Sequence, residues 1–261
     1  YGFTPDKPFA TLDYAIGKCT ASKGDIIYLM PGHAEDLASA TACVVDIAGV
    51  QVIGIGNGSL MPTLTLKTAT TAIVSVTAAD CRFKNIKFIS DIADLAIGLD
   101  LTGTADGAVV EECLFMDGAA NKEMKIMINV TANCHNVEIK NNRFIGFVDN
   151  DADTNAILFA GASNYSRVIG NYLHGLWLAT PIDADAAASL SMIIADNVVN
   201  NADTTAGLTI TSHASTTGLA VRNLCLGAKD TVHLTLGAML VAENYDSNAA
   251  GASAIIKPAV D

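Results

Sequence analysis

Charge is scarce in this chain. Only 16% of its 261 residues are Asp, Glu, Lys or Arg, and the balance is acidic, with 27 carboxylates against 15 cations and a formal net charge of −12. Arginine is scarcest, at positions 82, 143, 167 and 222 alone. Nucleic-acid affinity comes mainly from Lys and Arg neutralising phosphates, so no nucleic-acid partner and no basic groove are expected. No apolar run reaches the ~18–20 residues of a membrane span, and no secretory leader is visible, so no membrane partner is expected. Six cysteines (19, 43, 81, 113, 134, 225) form no C-x-x-C pair and have no histidine at ligand spacing. They read as small buried hydrophobes of a protein made in reducing cytoplasm. Gly54-Ile55-Gly56-Asn57-Gly58 lacks both the order of a dinucleotide loop and a following helix, and reads as a turn.

What the chain has is a repeat. One phrase recurs seven times between residues 80 and 250: an apolar residue, two residues, a turn-type position, one residue, then a bulky apolar residue. It reads Phe83-Lys84-Asn85-Ile86-Lys87-Phe88, then Val110 to Phe115, Ile139 to Phe144, Val168 to Leu173, Ile194 to Val199, Val221 to Leu226 and Val241 to Asp246. Anchored on the fourth position (86, 113, 142, 171, 197, 224, 244), the spacings are 27, 29, 29, 26, 27 and 20 residues. A period in the twenties carrying strand alternation is the mark of a β-solenoid, in which each coil has a core only when its neighbours cover it. A second alternating strand precedes most copies, as in Ile97-Gly98-Leu99-Asp100-Leu101 and Ile126-Met127-Ile128-Asn129-Val130.

The positions of the phrase have separate jobs. Phe83, Val110, Ile139, Val168, Ile194, Val221 and Val241 form one inward row, and Phe88, Phe115, Phe144, Leu173, Val199 and Leu226 a second. Between them a sharp corner needs left-handed or bridge backbone angles, which suits Asn85, Asn141, Asn142, Gly170, Asn171, Asp196, Asn197, Asn223 and Asn244. Lys84, Glu111 and Lys140 share one outward position and form an alternating-charge ladder. The four arginines fall at different positions of the repeat, so none is expected to pair with a carboxylate cluster. Upstream, Thr4-Pro5-Asp6-Lys7-Pro8 is turn chemistry, and Phe9, Leu12, Ala15, Ile16 and Cys19 recur at helical spacing. A helix there would cap the open end of the solenoid. The division expected is an N-terminal capping segment over 1–20, a β-helix over 21–246 and a tail over 247–261.

With the corner Asn and stacked Phe in place, the chain resembles the right-handed parallel β-helices of the pectate-lyase-like superfamily across roughly residues 20–250. The stretches Thr4 to Thr11, Gly24 to Glu35 and Gly54 to Gly58 resemble the opening of such proteins encoded by tailed bacteriophages. The resemblance implies an all-β, single-stranded right-handed parallel β-helix of about 7–9 coils. Enzymes of the superfamily use carboxylates with Ca²⁺ and an Arg base, or paired Asp residues. Here Asp100 is the only carboxylate in the alternating strands, with Asn129 at the matching place one coil on. Glycosidic chemistry needs two carboxylates at fixed separation, so no catalytic residue is assigned.

Two further groups stand out. Tyr165, Tyr172, His174 and Trp177 make the one aromatic-rich region and, with Asp100 and Asn129, form the candidate glycan-binding or contact patch. Asp149, Asp151, Asp153 and Asn155 place oxygens at every second residue, as in the first half of a Ca²⁺ loop, but Thr154 stands where the EF-hand has Gly. A solvated acidic loop is expected, with a weak Ca²⁺ site as its alternative. From the stiff repeat and the lack of a catalytic constellation, the expectation is a non-enzymatic virion structural protein of a tailed phage. It would decorate the virion surface after assembly in host cytoplasm, as a homotrimer bound to other virion proteins such as the major capsid protein. The alternative is a carbohydrate-active tailspike-like lyase or hydrolase, or a receptor protein binding host-surface glycan.

Overall fold

Strands as short as three residues persist because each is hydrogen-bonded to the coils above and below it. The computed structural model describes residue 2 and residues 4–147, 153–205, 207–228 and 233–247, with the backbone of 253–256. The chain winds as a right-handed parallel β-helix whose coils each pass through three sheets in turn. Sheet 1 holds nine strands, from Ile26–Leu29 to Leu240–Ala242. Sheet 2 holds ten, from Ala34–Leu37 to Asn244–Ser247, with Ser253–Ile256 added antiparallel at the end. Sheet 3 holds eight, from Cys43–Val45 to Leu234–Thr235.

The corner from sheet 1 to sheet 2 follows one plan. From the third coil onward its first residue is left-handed: Asn85, Glu112, Asn141, Gly170, Asp196, Arg222 and Glu243 all have φ between 53° and 68°. Glu and Arg therefore occupy a conformation expected only of Asn, Gly and Asp. The next position is buried and, from Asn142 on, always Asn. Asn171 shows the pattern: its Oδ1 accepts from the backbone N–H (2.9 Å) and Nδ2 (3.1 Å) of Asn142, and its Nδ2 donates to Ile139 O (2.9 Å) and Asn197 Oδ1 (3.0 Å). The ladder continues through Asn223 to Asn244. None of these buried Asn side chains is left with an unpaired polar atom, the condition for burying amides without cost.

That ladder corrects one row. Asn223 must stack on Asn197, which pairs Ile194 with Ala220 and Val199 with Cys225. Ala220, not Val221, is the inward residue of that coil, and Cys225, not Leu226, continues the Phe row. A one-residue slip moves every side chain to the other face, and the Asn hydrogen bonds outweigh the larger apolar side chain. Elsewhere the rows stand as read. Phe88 and Phe115 stack at 4.6 Å between ring centroids with planes 2° apart, and Phe115 and Phe144 at 5.2 Å and 11°.

The N-terminal helix is the single turn-and-a-half Leu12–Ile16, capped by Thr11, whose Oγ1 accepts from Tyr14 N–H at 3.3 Å. Its buried Leu12, Ala15 and Ile16 lie on the first coil. Two carboxylates fix it there: Glu35 accepts from Leu12 N–H (2.9 Å), and Asp13 from Val44 N–H (3.0 Å).

Candidate functional site

The outer surface around the sheet 1–sheet 2 corner brings together six of the chain's 15 cations. Register places Arg82, Val109, Glu138 and Arg167 in one outward row of sheet 1, and Lys84, Glu111 and Lys140 in the next. Just past the corner, Lys87, Leu114, Arg143 and Tyr172 form the outward row of sheet 2. Adjacent coils are ~4.8 Å apart, so these rows make a continuous ridge.

Glu111 is the centre of the ridge. It is 5% exposed, hydrogen-bonded by Arg82, and flanked by Lys84 Nζ at 3.4 Å and Lys140 Nζ at 3.5 Å. Burial pulls its carboxyl upward, but the hydrogen bond and charge of Arg82, with Lys84, outweigh that and hold it below the usual range. Lys84 also reaches Glu112 (2.9 Å); Glu138 holds Lys140 (2.8 Å) and Arg167 (3.2 Å). Lys87 and Arg143 have no carboxylate partner among the described residues. The ridge thus has six cations against Glu111, Glu112 and Glu138, an excess of positive charge on an acidic protein. Beside Arg143, Tyr172 is 41% exposed.

Net charge and scatter along the chain hid this ridge, and two expectations are corrected: a basic surface does exist, and arginines do pair with a carboxylate. The signal was in the repeat, since Phe83–Phe88 and Ile139–Phe144 carry cations at the same second and fifth positions.

The candidate patch read from the sequence is dispersed. Tyr172 and His174 lie on the outer face of sheet 2, where His174 Nδ1 meets Asn200 Nδ2 at 3.1 Å. Tyr165, exposed and left-handed at φ 61°, stands at the corner leading into sheet 1. Asp100 and Asn129 pair on the outer face of sheet 3, where Asn129 Nδ2 donates to Asp100 Oδ1 at 2.7 Å. Burial raises the Asp100 carboxyl, and the Asn129 hydrogen bond opposes that rise. Trp177 is wholly buried and leaves the patch: its ring packs against Gly175, where a side chain would collide, while Gly146 one coil earlier leaves room for the Asp153 carboxylate.

Of the acidic-loop candidates, the two described residues are not solvated. Asp149 and Asp151 lie outside the described residues. Asp153 points inward, 1% exposed, in a backbone bridge with Trp177. Asn155 is also buried and donates to Thr180 O at 2.8 Å. Among the described residues no group of His, Cys, Asp or Glu is placed to hold a metal ion.

Inside the corner from sheet 2 to sheet 3, Asp153 meets Asp117, with buried Glu123 nearby. Asp117 accepts from Met124 N–H and Phe147 N–H, both at 2.9 Å. Burial pushes its carboxyl up to about 6 against those two donors, and burial together with the Asp117 charge lifts Asp153 well above the carboxylate range. The sequence signal was alternation: Phe115 inward puts Asp117 inward as well.

No protein-family model and no curated protein matches the chain. Three solved structures are similar to it, each at 12% identity. A polygalacturonate lyase fused to a self-assembling amphipathic peptide has TM-score 0.49, over 93% of this chain and 81% of its own. YbhC of Escherichia coli has TM-score 0.47, over 88% and 67%. A pectin methylesterase in complex with a hexasaccharide has TM-score 0.41, over 99% and 84%. The expectation of a non-enzymatic virion protein is corrected: the solved structures similar to it carry the names of a polygalacturonate lyase and a pectin methylesterase. At this identity the likeness concerns the fold.

Proposed function

We propose that this chain is a carbohydrate-active β-helix directed at acidic polysaccharide, bound along the cationic ridge. One observation carries the reading. Lys87 and Arg143 project without counter-charge beside exposed Tyr172, on an otherwise acidic protein. Uronate carboxylates would meet both, and would compete with Glu111 for Lys84 and Lys140. Tyr172 offers a flat face to a sugar ring. In a reaction that builds negative charge beside a uronate carboxylate, this ridge supplies the neutralising cations. The phage-like opening makes a host-surface acidic glycan the natural polymer.

The test is retardation of the protein in gels containing polygalacturonate or neutral dextran, with formation of reducing or unsaturated ends followed in parallel. Retardation by polygalacturonate alone is expected, weakening with salt and with the double variant Lys87→Ala/Arg143→Ala. Equal mobility in both gels overturns the reading.

A further inference from the structure

The N-terminal cap covers the solenoid end unevenly. The helix Leu12–Ile16 closes the outer edge of sheet 3 through Asp13, and Glu35 in the first strand of sheet 2 is tied to Leu12. The first strand of sheet 1, Ile26–Leu29, has no such cover. It pairs with Gln51–Gly54 on one side only. Gln51 N–H donates to Asp25 O and Ile55 N–H to Leu29 O, so the odd-numbered residues face the next coil. Alternation then turns the N–H and C=O of Ile26 and Tyr28 to the open side, where no described residue meets them.

That open side is a groove of about 750 Å³, walled opposite by Pro5, Pro8 and Phe9. Ile26, Tyr28 and Met30 line it with exposed apolar side chains. We propose that this groove is a docking site for an extended polypeptide strand, which would continue sheet 1 by one more strand. The occupant follows from continuity. Sheet 1 is already a ladder of parallel strands, and only another backbone repeats a donor and an acceptor at the ~6.6 Å interval that Ile26 and Tyr28 present. The partner strand would carry alternating apolar residues, to meet the apolar walls. The groove opens on the first strand of sheet 1, where Ile26 and Tyr28 stand two strands before Arg82 and Lys84 in the same outward rows, and strand addition there does not use the cations of the ridge.

The test uses the full chain and fluorescein-labelled seven-residue peptides of alternating Val and Thr, read by anisotropy. Two further peptides carry N-methyl groups on the amides of one edge or of the other. Binding of the parent is expected, with at least about tenfold loss for one methylated peptide and less than about twofold for the other. Hydrogen exchange at the Ile26 and Tyr28 amides should slow on binding. Equal affinity of the two methylated peptides, unchanged exchange, displacement by oligogalacturonide, or concentration-dependent dimerisation through this edge in the absence of peptide would each overturn the proposal.

Discussion

Two corners of the same coil obey different rules. From the third coil on, the corner from sheet 1 to sheet 2 keeps one plan, a left-handed residue followed by a buried one, and from Asn142 the buried residue is an Asn whose side-chain hydrogen bonds close on the coils beside it. The corner from sheet 2 to sheet 3 varies from four residues between Ser90 and Leu95 to nine between Ile145 and Asn155. Its inward residues are Ser90, Asp117, Gly146, Gly175 and Asn201 in successive coils. Here polar atoms are left over: Nε1 of Trp177 has no hydrogen-bond partner among the described residues, and Asp153 has only the neighbouring Asp117 carboxyl to bond with. Regularity satisfies the backbone by repetition, whereas an irregular corner must be solved anew in each coil. Buried groups with displaced proton affinity accumulate in the second kind.

Four substitutions would break or sharpen that contrast. Trp177→Ala should have the largest effect, about 3–5 kcal/mol of stability by denaturant unfolding, because the glycine-lined space has nothing else to fill it. Asn171→Ala should cost about 2–3 kcal/mol, since it orphans the Asn142 N–H and the Ile139 carbonyl inside the ladder. A larger loss for Asn171→Ala than for Trp177→Ala would reverse the ranking of the two corners.

Asp153→Asn should stabilise the protein, on the order of 1–3 kcal/mol at neutral pH. The sign follows from proton binding. Asp117 and Asp153 both have raised affinities, so above the ordinary carboxylate value the folded chain holds protons that the unfolded chain has released. Stability is thus retained in acid and falls as pH rises through about 6, the value to which Asp117 is pushed. The variant should flatten that slope in unfolding curves taken between acid and neutral pH; an unchanged slope would place the titration elsewhere. Smallest is Lys140→Ala on the regular corner's outer surface. It should change stability by less than about 1 kcal/mol, because the side chain is one-third exposed, yet weaken retardation by polygalacturonate.

Much of the fold was legible because a repeat states its own register. Stacked Phe88, Phe115 and Phe144 and the Asn corner could be read from spacing, and Leu12, Ala15 and Ile16 from helical period. The slip at Ala220 could not, since Val221 looks the better core residue until Asn223 is required to stack on Asn197. The ridge was half legible. Its two cation-bearing copies of the phrase are plain in the sequence, but Arg82 and Arg167 share a row only once 29-residue and 27-residue coils are overlaid. Trp177 was misplaced because aromatic neighbours in sequence point to opposite sides of a strand, and because the bare Gly175 makes room for its ring.

The buried thiols show the same division. The lack of disulfide or ligand pairing marked Cys113, Cys134 and Cys225 as small buried residues, and burial inside the coils pushes each thiol up to about 12. The sequence by itself determined the solenoid, its period, most of its inward rows and the place of its corner, because these depend on residues within one coil and its copies. Only the tertiary structure decided which charges share a surface, which acids face each other and which strand edge stays open. Those depend on how coils of unequal length stack, a distance across the sheets that the order of residues along the chain does not express.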